Sequence, residues 1–484
     1  MLTTLLIVLP LAGALVVAVL PATKEATAAL ALFFALMEVA LWIITLGQFD
    51  FDQGGLQLTA THEWVQSLGI SYSVGFYSFS LWLVGATVIA TAAAIGYALW
   101  VGRDRPRAYY ALMLFLTGAV VSTFVAQDLL LFYVSFEAML IPLYVLVGVW
   151  GGSKRATATL MFVVYTMVGS LLMLAAVVAF GVTQGTFSLL TSGTSTNDWI
   201  FLGFAIAFAI KAPLFPFHGW LPLAYREAPI EVTAVLSGVV SKTAIYGFLR
   251  IGLPKFPEPA DDLKGVVLVL AAAGLVYGSV LAFRTADLRG IVAYSSMAQM
   301  GLIMLGVFAF TGGGLSGAVL QSVNHMLISA AMFLLVGMVE HRSGTGDIGS
   351  LGGMARGRPV LATVLLVAGM IALAVPGSTT FAGEFLIMAG VYGQGWGYAA
   401  IVALGVVLAA MYVLRLISAV LHVRPGSAVR EEALDLRPAE MALVLPLVAC
   451  LLALSIWPAA ISDRATPLGN RPYSAFALPE SSSP

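Results

Sequence analysis

The sequence predicts an all-α polytopic membrane protein of about fourteen transmembrane helices, and three observations carry that prediction. Mean hydropathy is +0.98 over 484 residues. Only 10% of the residues are Asp, Glu, Lys or Arg, against 60% apolar. Apolar runs of roughly 20 residues, the length that crosses a bilayer, recur from end to end. The alternating ten-residue segments of a membrane β-barrel are absent. No stretch is left for a large soluble domain, and no basic tract suits nucleic acid. The single cysteine, Cys450, excludes a disulfide, an iron–sulfur cluster or a Cys-ligated zinc built within the chain.

The apolar runs place helices near 2–21, 27–47, 73–99, 109–126, 129–150, 157–183, 199–224, 229–253, 264–284, 291–310, 313–340, 359–393, 397–422 and 440–461. The first lacks a basic flank and is too long for a signal peptide, so it reads as a retained helix. With the N-terminus outside, fifteen Lys and Arg fall on inner segments and five on outer ones, Arg250, Lys255, Lys264, Arg464 and Arg471. That bias matches the positive-inside rule and puts both termini on the outer, periplasmic side of an inner (plasma) membrane. The loop Asp50–Tyr72 is the longest between helices, and Leu56–Ala60 and Ile70–Val74 alternate enough to predict a hairpin capping the outer face. The polar inner segment 421–440, with Asp435, is read as an amphipathic helix, a partner-docking strip or a solvated connector.

Two helices must break. The seventh reads FAIAFAIKAPLFPFHGWLPLAY, with Pro213, Pro216 and Pro222 after Lys211. The twelfth contains AVPGSTTFAGEF, with Pro376, Gly377 and Gly383 before Glu384. Broken backbone at membrane depth is tolerated only where it is buried in protein or lines a wet cavity. Each break is the fourth helix of a five-helix set, 4–8 or 9–13, and the two sets start on opposite sides of the membrane. Matched interruptions in inverted halves mark transporter repeats. The expected organisation is therefore 1–105 for three peripheral helices and the hairpin, 106–254 and 255–425 for the repeats, and 426–484 for the connector, last helix and tail.

Four charges lie inside spans: Glu137, Lys211, Lys242 and Glu384. Each costs roughly 2.5 to 3.5 kcal/mol at mid-bilayer, so each needs a partner or a task. Glu137, just before Pro142, has Lys211 as a candidate partner; the bland alternative is a static helix-locking pair. Lys242, in SGVVSKTAIYGF, is too far from the helix end to snorkel easily. Glu384 either carries protons out or caps a half-helix. His325 (QSVNHMLIS) and His218 (FPFHGW) are candidate relays, with satisfied structural histidines as the alternative. His341 suits interface packing. Glu38 is a helix contact or a lipid-edge acid, and Arg415 pairs with a carboxylate or tunes an outlet. Gly344–Gly349 fits G-x-G-x-x-G but follows a membrane helix rather than a strand, so it is not a dinucleotide site.

The segments LLLFYVSFEAMLIPLYVLVGVWGG, AIKAPLFPFHGWLPLAYREAP, LSGVVSKTAIYGFLR, DLRGIVAYSSMAQMG and FAGEF resemble the antiporter-like, proton-translocating membrane chains of respiratory complex I, over about residues 105–420. The resemblance implies fourteen helices, inverted repeats and a proton path. In it, Glu137 is the acid of a Glu–Lys pair, Lys211 the lysine on the broken helix, Lys242 the central lysine and Glu384 the terminal acid. The glutamate at this last position resembles the M branch rather than its L and N sisters. Membrane and peripheral partner subunits, sister antiporter-like chains among them, are implied. NAD, FMN, iron–sulfur clusters and quinone belong to those partners, with no cofactor or metal in this chain. Departures occur at Leu223-Ala224-Tyr225, Ile230-Glu231-Val232 and Arg289-Gly290, all on inner loops expected to admit protons. A subunit of a multisubunit sodium/proton antiporter or of a membrane-bound hydrogenase-type complex shares this pattern.

Overall fold

The computed structural model describes residues 1–65, 69–191, 193–422, 424–429 and 434–464. The hairpin turn at 66–68, Arg430 and the tail with Arg471 lie outside them. Helices run α1 Leu2–Val19, α2 Lys24–Gln48, α3 Ser78–Val101, α4 Pro106–Val125, α5 Leu129–Trp150, α6 Arg155–Gln184, α7 Asp198–Lys211, α8 Leu221–Glu227 and α9 Ile230–Lys255. They continue α10 Lys264–Arg284, α11 Leu288–Val307, α12 Gly312–Ser343, α13 Pro359–Ala372, α14 Thr379–Tyr392, α15 Trp396–Leu421 and α16 Pro438–Ile456. Twelve of these described helices are long and apolar enough to cross a membrane. The predicted seventh and twelfth spans are instead filled by the segment pairs α7/α8 and α13/α14, each parted by non-helical backbone where the prolines and glycines fall.

The predicted hairpin forms. Strand β1, Gln57–Val65, pairs antiparallel with β2, Ile70–Phe76, in a register that sets His62 against Tyr72. The hairpin is tied down by Asp128, whose carboxylate caps α5 through Leu130 N and Leu131 N and also accepts from Ser71 N at 3.1 Å.

Within a bilayer, burial gives helices little reason to associate, so close packing and hydrogen bonds must hold them. A close sequential contact joins α10 to α11 through two glycines. A Cβ at Gly301 would lie 2.6 Å from Ala271 O, and one at Gly278 would lie 2.9 Å from Ala298 N. Helices α9 and α12 run through the centre, surrounded along their apolar middle stretches, while α2, α5 and α6 expose apolar faces.

Segment 421–440 forms no helix before Pro438 among the described residues. Most of its described residues are exposed, as in a solvated connector, and Asp435 ties them down as a strap. The Asp435 carboxylate accepts from Val360 N and Leu361 N, each at 2.9 Å, and so caps the exposed start of α13. Beside it, Arg342 of α12 and Glu440 of α16 form a buried two-pronged ion pair at 2.7 and 2.8 Å. Farther along α16, Ser455 Oγ accepts from Thr379 N at 2.9 Å. The strap and α16 therefore touch the predicted twelfth span at the start of each of its halves.

Candidate functional site

Lys211 is the last residue of α7, where the chain leaves the helix ahead of Pro213 and Pro216, and Trp220 bonds back to Ile210 O at 3.0 Å. Its ammonium reaches α5, 3.3 Å from Phe136 O and 4.5 Å from the centre of the Phe136 ring. Pro142 removes the amide that would pair with Ala138 O, and α5 is interrupted at Met139. Among the described residues no ion pair of 4.0 Å or less joins Lys211 to Glu137. The expected contact pair is thus open: Glu137 lies within electrostatic reach of Lys211, but half-buried on the flank of α5 beside exposed Val134 and Ile141.

Lys242 is fully enclosed at the centre of α9. Wide π-type turns, Leu236–Val240 and Phe248–Gly252, flank it on both sides, an irregularity common at functional positions. Its ammonium donates to Ser237 O at 2.9 Å and Ser241 Oγ at 3.1 Å, and it makes a short contact with His325 Nδ1 on α12. Two basic groups in hydrogen-bond contact share one proton: one donates while the other offers its lone pair. His325 is thereby placed next to Lys242, as its relay reading requires.

Beyond this pair, hydroxyls of Ser237, Ser296 and Ser329 cluster at 2.7, 2.8 and 3.4 Å. Ser296 and Ser329 border a cavity of about 40 Å³ that His325, Gln299, Thr380 and Tyr412 also line. At roughly 10–15 Å³ for each, it has room for two or three water molecules among polar partners. Gln299, which lines the cavity, leads on to Glu384 of α14: Oε1 accepts from Gln299 Nε2 at 2.9 Å, while Oε2 is buried without a partner. A polar line therefore runs from Lys242 through His325 to Glu384. Lys211 is not joined to it by any hydrogen bond among the described residues; Phe132, Phe136, Phe208 and Tyr246 pack there as a ring cluster.

Other expected residues fall elsewhere. His218 lies off the line, its ring against Phe215 and Tyr277, with Nδ1 unpartnered. Arg415 binds no carboxylate; it donates to Phe283 O and Thr285 O at the end of α10. Glu38 is buried within the bundle, away from any lipid edge, with both carboxyl oxygens unpartnered. His341 packs edge-on against Trp100. The Gly344–Gly349 loop is bonded to the start of α11 through Leu288 N to Gly346 O and Ile348 N to Ala286 O.

Sequence reading missed a polar vestibule of about 780 Å³ on the arginine-rich face, lined by Arg103, Arg226, Asp287, Arg289, Glu340 and His341. Its charges are paired: Arg226 with Asp287 at 2.8 Å, Arg289 with Glu340 at 2.7 Å, and Arg103 with buried Glu231 at 2.6 Å. The residues at which the chain departs from the resemblance, Glu231 and Arg289, are those that build these pairs. The motif comparison flagged the positions without showing their partners.

A family model described as NADH:quinone oxidoreductase/Mrp antiporter, TM matches residues 126–411, the region that holds both interruptions and Glu137, Lys211, Lys242 and Glu384. NADH-quinone oxidoreductase subunit M of Rhodobacter capsulatus is 34% identical over 483 residues, covering 94% of this chain and 93% of the relative. A chain in the structure of respiratory complex I from Thermus thermophilus with bound NADH superposes with a TM-score of 0.90 at 31% identity, covering 99% of this chain and 100% of that one. A chain of an archaeal membrane-bound sulfane sulfur reductase shares the fold alone, with a TM-score of 0.86 at 22% identity over 96% of this chain and 77% of that one. Fold and site together define an antiporter-like membrane subunit. The chain belongs to the NADH-quinone oxidoreductase subunit M family.

Proposed function

We propose that this chain is a proton-translocating membrane subunit of a respiratory NADH–quinone oxidoreductase, coupling quinone reduction in partner subunits to proton pumping. The observation that carries this reading is the Lys242–His325 contact beside a polar cavity that Gln299 also lines, with Gln299 in turn hydrogen-bonded to Glu384. Protons enter from the arginine-rich vestibule, are held on Lys211 or Lys242, pass by His325 and the serine-lined cavity, and leave by Glu384. The Glu137–Lys211 separation acts as the switch driven by partners. Moving one charge across 100 mV costs about 2.3 kcal/mol, so a driver outside the chain is required. NAD, FMN, iron–sulfur clusters and quinone sit in those partner subunits. The termini lie on the outer side of the inner (plasma) membrane, and the two five-helix sets, 106–254 and 255–425, are inverted repeats around the axis.

The test uses the purified whole complex in sealed vesicles. Lys211→Ala or Glu384→Gln is expected to reduce protons moved per electron pair several-fold. Full pumping at normal NADH oxidation in both variants would overturn the reading. Co-purified partner chains carrying flavin and clusters separate it from a sodium/proton antiporter assembly.

A further inference from the structure

We infer that Thr379, Asn324, Gln321 and Gln299 form a one-way hydrogen-bond chain of positioning residues that aims the Glu384 carboxyl. The inference rests on the functional reading above, and it names four side chains to which no task has been given. The links run without a gap. Thr379 Oγ1 donates to Asn324 Oδ1 at 2.8 Å, and Asn324 Nδ2 donates to Gln321 Oε1 at 3.3 Å. Gln321 Nε2 then donates to Gln299 Oε1 at 2.8 Å, and Gln299 Nε2 donates to Glu384 Oε1 at 2.9 Å.

The direction is fixed at both ends by groups that can only accept. Asn324 Nδ2 also meets the backbone carbonyl of Thr379 at 2.9 Å. A carbonyl has no proton to give, so the nitrogen of Asn324 must face it, and its oxygen must face the Thr379 hydroxyl. Each later amide is then forced to point its N–H groups toward Glu384, whose ionised carboxylate likewise only accepts. Dipoles aligned in this way polarise one another and strengthen the last bond.

The surroundings are built to hold the chain. Ser455 of α16 fixes Thr379 by accepting from its amide. Gly383, the residue before the acid, leaves room for Gln321: a Cβ there would lie 2.6 Å from Gln321 Oε1. Amides do not readily pass protons, so this chain orients rather than conducts. It occupies Oε1 and leaves Oε2 as the oxygen that receives and releases the proton. Protons reach it from the cavity beside His325, not along the amides.

Thr379→Val tests this far from the acid itself, with little change of shape, and Thr379→Ser restores the hydroxyl. In the reconstituted complex, the infrared carbonyl band of protonated Glu384 is identified by its loss in Glu384→Gln. Thr379→Val and Gln321→Leu are expected to move that band to higher wavenumber and to lower pumping per electron by about two- to tenfold, and Thr379→Ser to restore both. If Glu384→Gln fails to pump while Thr379→Val and Gln321→Leu keep the wild-type band and pumping, the chain has no positioning role and this inference falls alone. Normal pumping by Glu384→Gln, or the absence of any Glu384-dependent band, overturns the functional reading and the inference with it.

Discussion

Lys211 Nζ lies 3.3 Å from the carbonyl oxygen of Phe136, one residue short of the carboxylate of Glu137. The lysine is thus held by a backbone acceptor and a ring face, with the acid close by but unengaged. The switch proposed above needs two states, the one seen here with the ammonium on Phe136 and one with it on Glu137. If they form a single switch, Glu137→Gln and Lys211→Ala should each reduce pumping, and the double variant should do no worse than the more damaging single one. Groups that act as a unit are strongly non-additive. Additive losses in proton-pumping assays of the reconstituted complex would separate the two residues.

His325→Ala removes the neighbour of Lys242 but leaves Ser237 O and Ser241 Oγ in place. The lysine stays hydrogen-bonded, so the expected stability loss is about 1–3 kcal/mol. Pumping should fall by about tenfold or more, because positioned acid–base groups contribute that much to proton transfer. Thermal unfolding of the detergent-solubilised complex, beside pumping rates, checks both halves.

Gly383→Ala should be worse than its single methyl suggests. The new carbon must displace Gln321, whose Oε1 would lie at 2.6 Å. Overpacking of this kind costs about 1–3 kcal/mol, and the displaced amide also loosens its link to Gln299. A lowered Tm with reduced pumping in an assembled complex is expected; the Gly383→Ala, Gln321→Ala double variant should recover stability without recovering pumping.

Asp435 gives a pH-dependent hold on α13. Its partial burial pushes the carboxyl up, but the amides of Leu361, Val360 and Leu436 with Arg342 outweigh this and hold it below the usual carboxylate range. A carboxyl lowered in the folded state stabilises fully above its unfolded value of about 3.9 and loses that contribution as pH falls through the lower folded value. Asp435→Ala should cost about 1 kcal/mol at neutral pH, as loss of a helix cap does. The difference from wild type should vanish in strong acid, as read by unfolding between pH 7 and pH 3.

The spans and both interruptions were legible in the sequence because their signals are local. An apolar run, three prolines after Lys211, and Pro376 with Gly377 before Glu384 each act within a few residues. What joins the charges was not legible. Ser296, Gln299 and Gln321 look like ordinary tolerated polar residues until α11, α12 and α14 bring them together. The wide turns beside Lys242 leave no local mark; Gly238, in the first of them, lies so near α12 that a Cβ would be 2.8 Å from Met326 O. Arg415 was read toward a carboxylate because its charge was visible, whereas the carbonyls that hold it belong to a helix end 130 residues away.

The strap and last helix also set limits on how the second interrupted span can move. Asp435 on the strap grips the start of α13 through two amides and Ser455 on α16 grips the start of α14, so strap and helix together hold both halves of the span. Rocking one half against the other would rupture all three bonds, at about 0.5–1.5 kcal/mol each. The Lys211 break has its own tie, Trp220 donating to Ile210 O at 3.0 Å, so a hydrogen bond anchors the chain beside each interruption.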